Sequence, residues 1–206
     1  MRTAVDRWLL SHLADTVEQI TAAFDDYDFM QAYTTASRFF WSIYCDRYIE
    51  MIKDRFLDAD RHDEAARQSA QRTMWESYRV LLGLFAPFAP FVTEHMYQRF
   101  YQQREGLASV HLTRWPTAEP TWRSDRSEID QMAALLDAVR ALRSQERLPG
   151  GTRLAKLILD PRTDQARSLA KAVAEPLRCA ARADDVVFGP ASYDSQVSDI
   201  AVGIVA

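Results

Sequence analysis

Helical periodicity is the feature of this sequence that most limits its possible folds. Between Val5 and Phe24, large apolar residues recur at intervals of three and four, the spacing that places side chains on one face of an α-helix. We expect helices as far as residue 105. Only 6 of the 206 residues are glycine, which argues against a loop-rich all-β fold. The sequence therefore predicts a mainly α-helical protein.

Capping residues and prolines predict where the helices begin. Asp28 is suited to cap a second helix over about residues 29 to 56, and a third helix is expected from about Glu64. Pro90 suits the first turn of a fourth helix. Helices joined by short connections predict a bundle of four to five helices, with its domain over residues 1–108.

The rest of the chain predicts a linker and a second, smaller domain. Residues 109–123 contain two prolines and a short β-like run, so we expect an extended linker laid over a surface. Residues 124–206 predict a small α+β module. Its expected elements are a helix capped by Ser124 or Asp125, strands near Leu154–Leu159, Val186–Phe188 and Ile200–Val205, a helix from Thr163 to Glu175, and a short helix starting at Pro176.

Charge and cysteine content limit the partners and the compartment. The net charge of −4 creates no global basic field, so RNA binding would need a local patch. Cys45 and Cys179 are far apart and form no CxxC motif, which favours reduced thiols in the cytoplasm over a disulfide or a zinc site. No apolar stretch approaches the roughly 18 residues that a membrane span needs, so we expect no membrane partner.

Catalytic motifs are absent from the sequence. It contains no GxxxxGK[ST] loop, no GxGxxG, no HExxH and no GxSxG, and its four histidines lie in different segments. We therefore expect no catalytic residue, no metal site and no cofactor in this chain.

The second predicted helix has an unusual distribution of aromatic residues. On a wheel drawn at about 100° per residue, Phe40 and Trp41 fall with most of its apolar side chains on one arc, expected to be core. The opposite arc is polar but includes two large apolar residues; its members include Phe39, Ser42, Ile43, Asp46 and Arg47. Either another element covers Phe39 and Ile43, or they form an exposed surface on which unstacked RNA bases stack.

A local basic patch lies between Ala138 and Arg167. It contains seven Lys or Arg residues against three Asp or Glu residues. The patch is either a solvated face or a phosphate-contacting surface whose affinity falls as salt rises.

Several motifs, in order along the chain, carry a resemblance to a known family. They are DRWLLSHL (Asp6–Leu13), YDF (Tyr27–Phe29), Phe40-Trp41, YCD (Tyr44–Asp46), YIE (Tyr48–Glu50) with Lys53, LFAPFAPFVTE (Leu84–Glu94), VHLTRWP (Val110–Pro116) and VRALRSQERLP (Val139–Pro149). This pattern resembles the C-terminal anticodon-binding region of class I aminoacyl-tRNA synthetases of the valyl, isoleucyl and leucyl group. The Cys45-Asp46 pattern is similar to valyl enzymes. The resemblance covers residues 6–160 and is weak beyond them.

The resemblance implies a whole enzyme that activates valine with ATP and Mg²⁺ and esterifies it to tRNA. This chain would hold the anticodon stem-loop of a valine-accepting tRNA, and the rest of the synthetase chain would be its other partner. The family's His-x-Gly-His and Lys-Met-Ser-Lys-Ser motifs are absent, and they belong to an upstream domain. We therefore expect a fragment of a ligase with no activity of its own, in preference to a free-standing paralogue.

The wheel and the resemblance together give the site hypotheses. Phe39 and Ile43 would provide the stacking surface, and Ser42, Asp46 and Arg47 would read base edges. The phosphate contacts would come from Arg140, Arg143 and Arg147. Two alternatives stay open: an anticodon-binding domain of isoleucyl or leucyl type, and a helical protein-interaction module.

Overall fold

The protein is mainly α-helical, with a small sheet near its C-terminus, as the sequence predicts. The computed structural model describes residues 2–57, 62–149, 151–195 and 199–206. The chain divides into two compact units. The first comprises Met1–Tyr48 and Asp60–Ser124, and the second comprises Ile49–Ala59 and Asp125–Ala206. The predicted linker, residues 109–123, thus belongs to the first unit, while Ile49–Ala59 belongs to the second unit and not to the bundle domain.

Helices account for most of the described residues, and their bounds are as follows. The α-helices are α1 (Ala4–Asp25), α2 (Phe29–Arg38), α3 (Glu50–Ile52), α4 (Asp54–Leu57), α5 (Glu64–Phe85), α6 (Pro90–Phe100), α7 (Gln102–Glu105), α8 (Ser127–Gln145) and α9 (Asp164–Ala181). Phe39–Ile49 forms a π-helix, named the π segment here, and Val110–Leu112 and Pro120–Trp122 form 3₁₀ turns. Within the described residues, no helix combines the length and apolar character that crossing a bilayer requires.

Local capping chemistry explains where the main helices start. The Asp28 carboxylate accepts a hydrogen bond from the backbone N–H of Gln31 at 2.9 Å. The Asp63 carboxylate accepts one from the N–H of Ala66 at 2.7 Å, so α5 begins as predicted. Pro90 is the first residue of α6, which confirms that prediction as well.

The π segment replaces the single long α-helix expected over residues 29 to 56. Its buried residues are Phe39, Tyr44 and Tyr48, at intervals of five and four. Tyr48 follows Phe39 by nine residues, which is about two and a half turns of an α-helix. The helical wheel therefore placed Phe39 on the opposite arc from Tyr48. In a helix whose hydrogen bonds join residues five apart, the same interval is roughly two turns, and both side chains lie on one face.

The core of the first unit lies between α1, α2, α5 and α6. α1 packs on α2 and α5, and α5 packs on α6. Trp8, Leu9 and Leu13 of α1 are fully buried. A second apolar cluster joins α5, α6 and the first 3₁₀ turn; its buried members are Leu82, Ala86, Tyr97, Tyr101 and Val110.

The predicted linker is more compact than expected. The described residues from 109 to 123 contain no strand, although a short β-like run was expected there. They form the two 3₁₀ turns, and the side chains of Val110 and Trp122 are buried. Burial of these two side chains stabilises the packing of the segment on the first unit, while most of its other residues stay at least partly exposed.

The second unit contains the sheet and two helices that contact it. The described strands are β1 (Leu154–Pro161), β2 (Ala183–Phe188), β3 (Tyr193–Asp194) and β4 (Ile200–Val205), in the order β2-β1-β4-β3. β1 pairs parallel with β2 in a register that includes Leu157 opposite Val186, and antiparallel with β4. α9 connects the two parallel strands, and α8 packs against α9 and β4. This confirms the predicted α+β module. The sequence analysis did not predict β3.

One helix boundary in this unit was predicted wrongly. α9 continues through Pro176 to Ala181, although a break was expected there. A proline inside a helix costs about 3 kcal/mol. The turn after it buries Leu177 and Cys179, and α9 packs on α3, α8 and the sheet. We infer that this packing outweighs the cost of the proline.

Candidate nucleic-acid interface

An aromatic cleft of about 390 Å³ opens on the first unit. One wall comes from α2 and the π segment, and the other walls come from α5 and from the corner that leads into α6. This aromatic cleft is lined by Tyr33, Ser37, Phe40 and Trp41 on the first wall and by residues that include Tyr78, Phe85, Phe88, Val92 and Thr93 on the others.

The rings of the cleft are held at defined angles, and two of them face solvent. Phe40 packs edge-to-face with Trp41 at 5.0 Å between ring centroids and with Phe85 at 5.8 Å. Tyr33 packs edge-to-face with Phe88 at 5.4 Å. Trp41 is nevertheless 63% exposed and Tyr33 48% exposed. The prediction that Trp41 belongs to the core is therefore wrong, because the π segment turns its ring outward.

The chemistry of the aromatic cleft suits a flat, uncharged group. None of its described lining residues is charged. Burial raises the pKa of Tyr78 above its ordinary value of 10.0, so that phenol is neutral near pH 7. The hydroxyl groups of Ser37 and Thr93 lie on the walls, and Thr93 donates to the Ala89 carbonyl at 2.9 Å. A nucleobase that has left its stack fits such a surface, since its face can stack on an exposed ring.

The structure buries one of the five residues predicted to hold the anticodon. Phe39 is only 3% exposed, so its ring offers no face to a base and the alternative that other elements cover it is correct. Ile43 and Arg47 are half-buried, whereas Ser42 and Asp46 are exposed. None of the five lines the aromatic cleft. Base reading by Ser42, Asp46 and Arg47 and stacking on Ile43 stay predictions.

The basic patch contains one arginine with a structural role. Arg143 is buried and donates to the carbonyl of Thr152 at 2.8 Å and to that of Ala181. Burial lowers the pKa of Arg143, and nearby Arg182 lowers it further. Arg143 therefore does not contact phosphate, and this prediction is wrong. Arg140 and Arg147 are exposed, and phosphate contact by these two stays a prediction.

The second unit contains an ionic network around Arg178. Its guanidinium donates to Glu175 at 2.7 and 2.9 Å and to Asp54 at 2.7 Å. The hydrogen bonds to Glu175 and Asp54 raise the pKa of Arg178. Burial and the Asp54 charge raise the pKa of the Cys179 thiol to about 12, which makes it a poor nucleophile at neutral pH. The network joins α4 to α9, and Arg178 donates hydrogen bonds to both carboxylates.

The sequence analysis missed Tyr33 and Trp41 as surface residues. The available signal was the density of aromatic residues from Tyr33 to Tyr48, which exceeds what one buried arc of an α-helix needs. The wheel placed Phe39 and Ile43 on the polar arc because it assumed α-helical winding throughout.

Comparison with known proteins identifies the family. The family model described as the anticodon-binding domain of tRNA ligase matches residues 6–158. The chain is 36% identical to the valine–tRNA ligase of Haloarcula marismortui over 71% of its length, and 30% identical to that of Syntrophotalea carbinolica over 95%. It covers only 15% and 22% of these relatives, respectively. The chain belongs to the family of anticodon-binding domains of tRNA ligases.

Proposed function

We propose that this chain is the part of a valine–tRNA ligase that binds the anticodon stem-loop of a valine-accepting tRNA. The single observation that carries the proposal is the aromatic cleft, with the exposed rings of Trp41 and Tyr33 at its rim. Anticodon bases belong to a single-stranded loop and can leave their stack, so an exposed aromatic ring can hold one of them. Membership of an anticodon-binding family and the valine–tRNA ligase relatives support the same partner.

The reaction itself would take place elsewhere in a longer protein. The relatives are about five to seven times longer than the aligned region, and we assign valine activation, ATP and Mg²⁺ to the parts of the relatives outside that region. The described lining of the aromatic cleft is uncharged and mostly apolar, which suits binding of a base. Contacts at the anticodon would contribute binding energy and discriminate among tRNAs. A cytoplasmic location follows from this function and stays a prediction.

The direct test removes the aromatic ring of Trp41, and a second test exchanges the anticodon of the tRNA. Trp41→Ala is expected to weaken binding of a valine tRNA transcript by about 1–3 kcal/mol, because one stacked base is lost, with little change in thermal unfolding. Phe91→Ala is the matched control, since Phe91 is 91% exposed and lies outside the aromatic cleft. Phe39→Ala should instead lower stability by about 3–5 kcal/mol, because it empties a buried site.

Exchange of the anticodon tests which tRNA is recognised. The unsubstituted chain is expected to bind the valine transcript more tightly than the same transcript carrying an isoleucine or leucine anticodon. Equal affinity for all three would contradict anticodon recognition, and a preference for either of the other two would favour the isoleucyl or leucyl alternative. In Trp41→Ala, the preference for the valine anticodon should shrink.

A protein-interaction module is the second candidate, and the uncharged lining of the aromatic cleft is the observation that favours it. An apolar side chain of a partner protein could occupy the same space as a base. Salt separates the two candidates. Binding to RNA should weaken steeply as salt rises, whereas binding of an apolar protein segment should change little.

A further inference from the structure

A second cleft, of about 490 Å³, lies in the second unit at the carboxyl ends of the parallel strands β1 and β2. We name it the carboxyl-end cleft. Its lining includes Asp160 and Pro161 at the end of β1, Arg167 and Lys171 on α9, and Phe188 and Gly189 at the end of β2. In sheets with parallel strands, ligands commonly bind in the crevice outside the carboxyl ends of the strands. The position of this cleft therefore has a topological cause.

Two cations line one side of the carboxyl-end cleft. Arg167 and Lys171 are four residues apart on α9, so their side chains share one helix face, and both are exposed. The Asp160 carboxylate also lines the cleft, but it accepts the backbone N–H of Ala191 at 3.2 Å. The two cations outnumber the single carboxylate, and arginine and lysine are the side chains that bind phosphate oxygens.

The other side of the carboxyl-end cleft is aromatic and open. Phe188 is the last residue of β2, and its side chain is 48% exposed. Its partner residue in β1, Leu159, is fully buried. The chain then turns at Gly189, whose N–H donates to the Leu159 carbonyl at 3.1 Å. A Cβ at Gly189 would meet no atom within 4 Å, so a ligand can approach the backbone there.

We propose that the carboxyl-end cleft binds one nucleotide of single-stranded RNA. Arg167 and Lys171 bind its phosphate, and Phe188 stacks on its base. A cationic pair beside an exposed ring matches the way in which proteins hold single strands, with cations along the backbone and aromatic rings under the bases. The inference rests on the proposed function, because the RNA in question is the tRNA loop or an adjoining unpaired nucleotide. It adds a second contact area, on the α+β module.

The first experiment measures the salt dependence of binding of a valine tRNA transcript by the 206-residue chain. The double variant Arg167→Gln, Lys171→Gln is compared with the double variant Arg99→Gln, Arg104→Gln. The second pair removes the same charge from exposed positions that lie outside the carboxyl-end cleft, the aromatic cleft and the basic patch.

We expect the affinity of the cleft variant for the tRNA transcript to depend less steeply on salt, and the affinity of the control variant to keep the slope of the unsubstituted chain. One phosphate contact on a single strand contributes about 0.7 to the salt slope, so between about 50 and about 200 mM salt the unsubstituted chain should lose about 2.6-fold more affinity than the cleft variant. Equal slopes for the unsubstituted chain and the cleft variant would overturn the proposal, and so would an equal change in the control.

A second experiment detects the base and separates RNA from free phosphate. In Phe188→Trp, a short oligouridylate is expected to quench the new indole fluorescence by stacking, while inorganic phosphate at the same concentration should not. Phe188→Ala should weaken oligouridylate binding at least about fivefold. Binding of inorganic phosphate with no binding of the oligouridylate would overturn the proposal, as would unchanged affinity in Phe188→Ala.

The two proposals fail in distinguishable ways. If anticodon exchange changes affinity but the carboxyl-end cleft variants behave as the unsubstituted chain, the proposed function stands and the second contact area is refuted. If oligouridylate binding depends on Phe188 while anticodon exchange has no effect, the carboxyl-end cleft is an RNA site and anticodon recognition is refuted.

Discussion

The hydroxyl group of Tyr48 donates a hydrogen bond to the carboxylate of Asp6 at 2.8 Å, and both residues are completely buried. The hydroxyl groups of Thr3 and Ser69 donate to the same carboxylate. A carboxylate removed from water is costly unless donors surround it. Within the first unit, Asp6 therefore ties the π segment to α1 and α5, and it explains why an acidic residue opens the DRWLLSHL motif of Asp6–Leu13.

Tyr48→Phe removes one of these donors. We expect a loss of about 1–3 kcal/mol in the free energy of unfolding, because the Asp6 carboxylate stays buried with one partner fewer. Urea unfolding monitored by circular dichroism measures it. Tyr33→Phe is the matched control, since its side chain is half exposed. An equal, small loss in both variants would show that the Asp6 network contributes little.

Gly83→Ala tests the contact between α5 and Pro116. A Cβ at Gly83 would lie 2.6 Å from Cγ of Pro116, closer than atoms in contact allow. Alanine favours a helix over glycine by about 1 kcal/mol, but displacing Pro116 should cost about 1–3 kcal/mol. We expect a net loss of stability in urea unfolding. A gain in stability would mean that Pro116 moves away from the new methyl group at little cost. Gly189→Ala, which meets no atom within 4 Å, is the control.

Arg143→Gln separates a structural arginine from an RNA-binding one. The carbonyls of Thr152 and Ala181 would lose a charged donor, so we expect a loss of about 2 kcal/mol in the free energy of unfolding. The salt dependence of tRNA binding should not change. Arg140→Gln, at an exposed residue that pairs with Asp137, is the control and should cost under about 0.5 kcal/mol. An intact stability with a reduced salt slope in Arg143→Gln would restore the phosphate role.

Local signals in the sequence were sufficient for much of the fold. The cap at Asp28 and the proline at position 90 act within one turn of the chain, so residue type alone predicts them. The strands near Leu154 and Ile200 are short, apolar runs bounded by breakers, and the structure confirms them.

The features that failed depend on contacts distant in sequence. The winding of the π segment decides which side chains face the core, and a wheel with a fixed period cannot represent it. The continuation of α9 through Pro176 depends on packing against α3 and α8, which sequence spacing does not reveal. In the sequence, nothing separated Arg143 from the exposed arginines near it. Its burial depends on backbone carbonyl partners, which only the structure reveals.

Glu94 gives the first unit a pH-dependent contact. Its carboxylate accepts the hydroxyl of Ser109 at 2.8 Å and the N–H of Val110 at 2.9 Å. Burial tends to raise the pKa of Glu94, but these hydrogen bonds and one from Gln98 outweigh that effect and hold the pKa below its ordinary 4.5. A lowered folded-state pKa stabilises the fold above the unfolded-state pKa, and this stability is lost as pH falls through the folded-state value.

Glu94→Gln removes this titration. At pH 7 the variant should unfold at a lower urea concentration than the unsubstituted chain, because the contacts of a charged acceptor with Ser109 and Val110 are weakened. As pH falls below about 4.5, the unsubstituted chain should lose its advantage and the two curves should converge. Glu128→Gln removes an exposed carboxylate and controls for net charge. A difference between the Glu94→Gln and unsubstituted curves that stays constant from pH 7 to pH 3 would show that Glu94 holds no such charge-dependent contact.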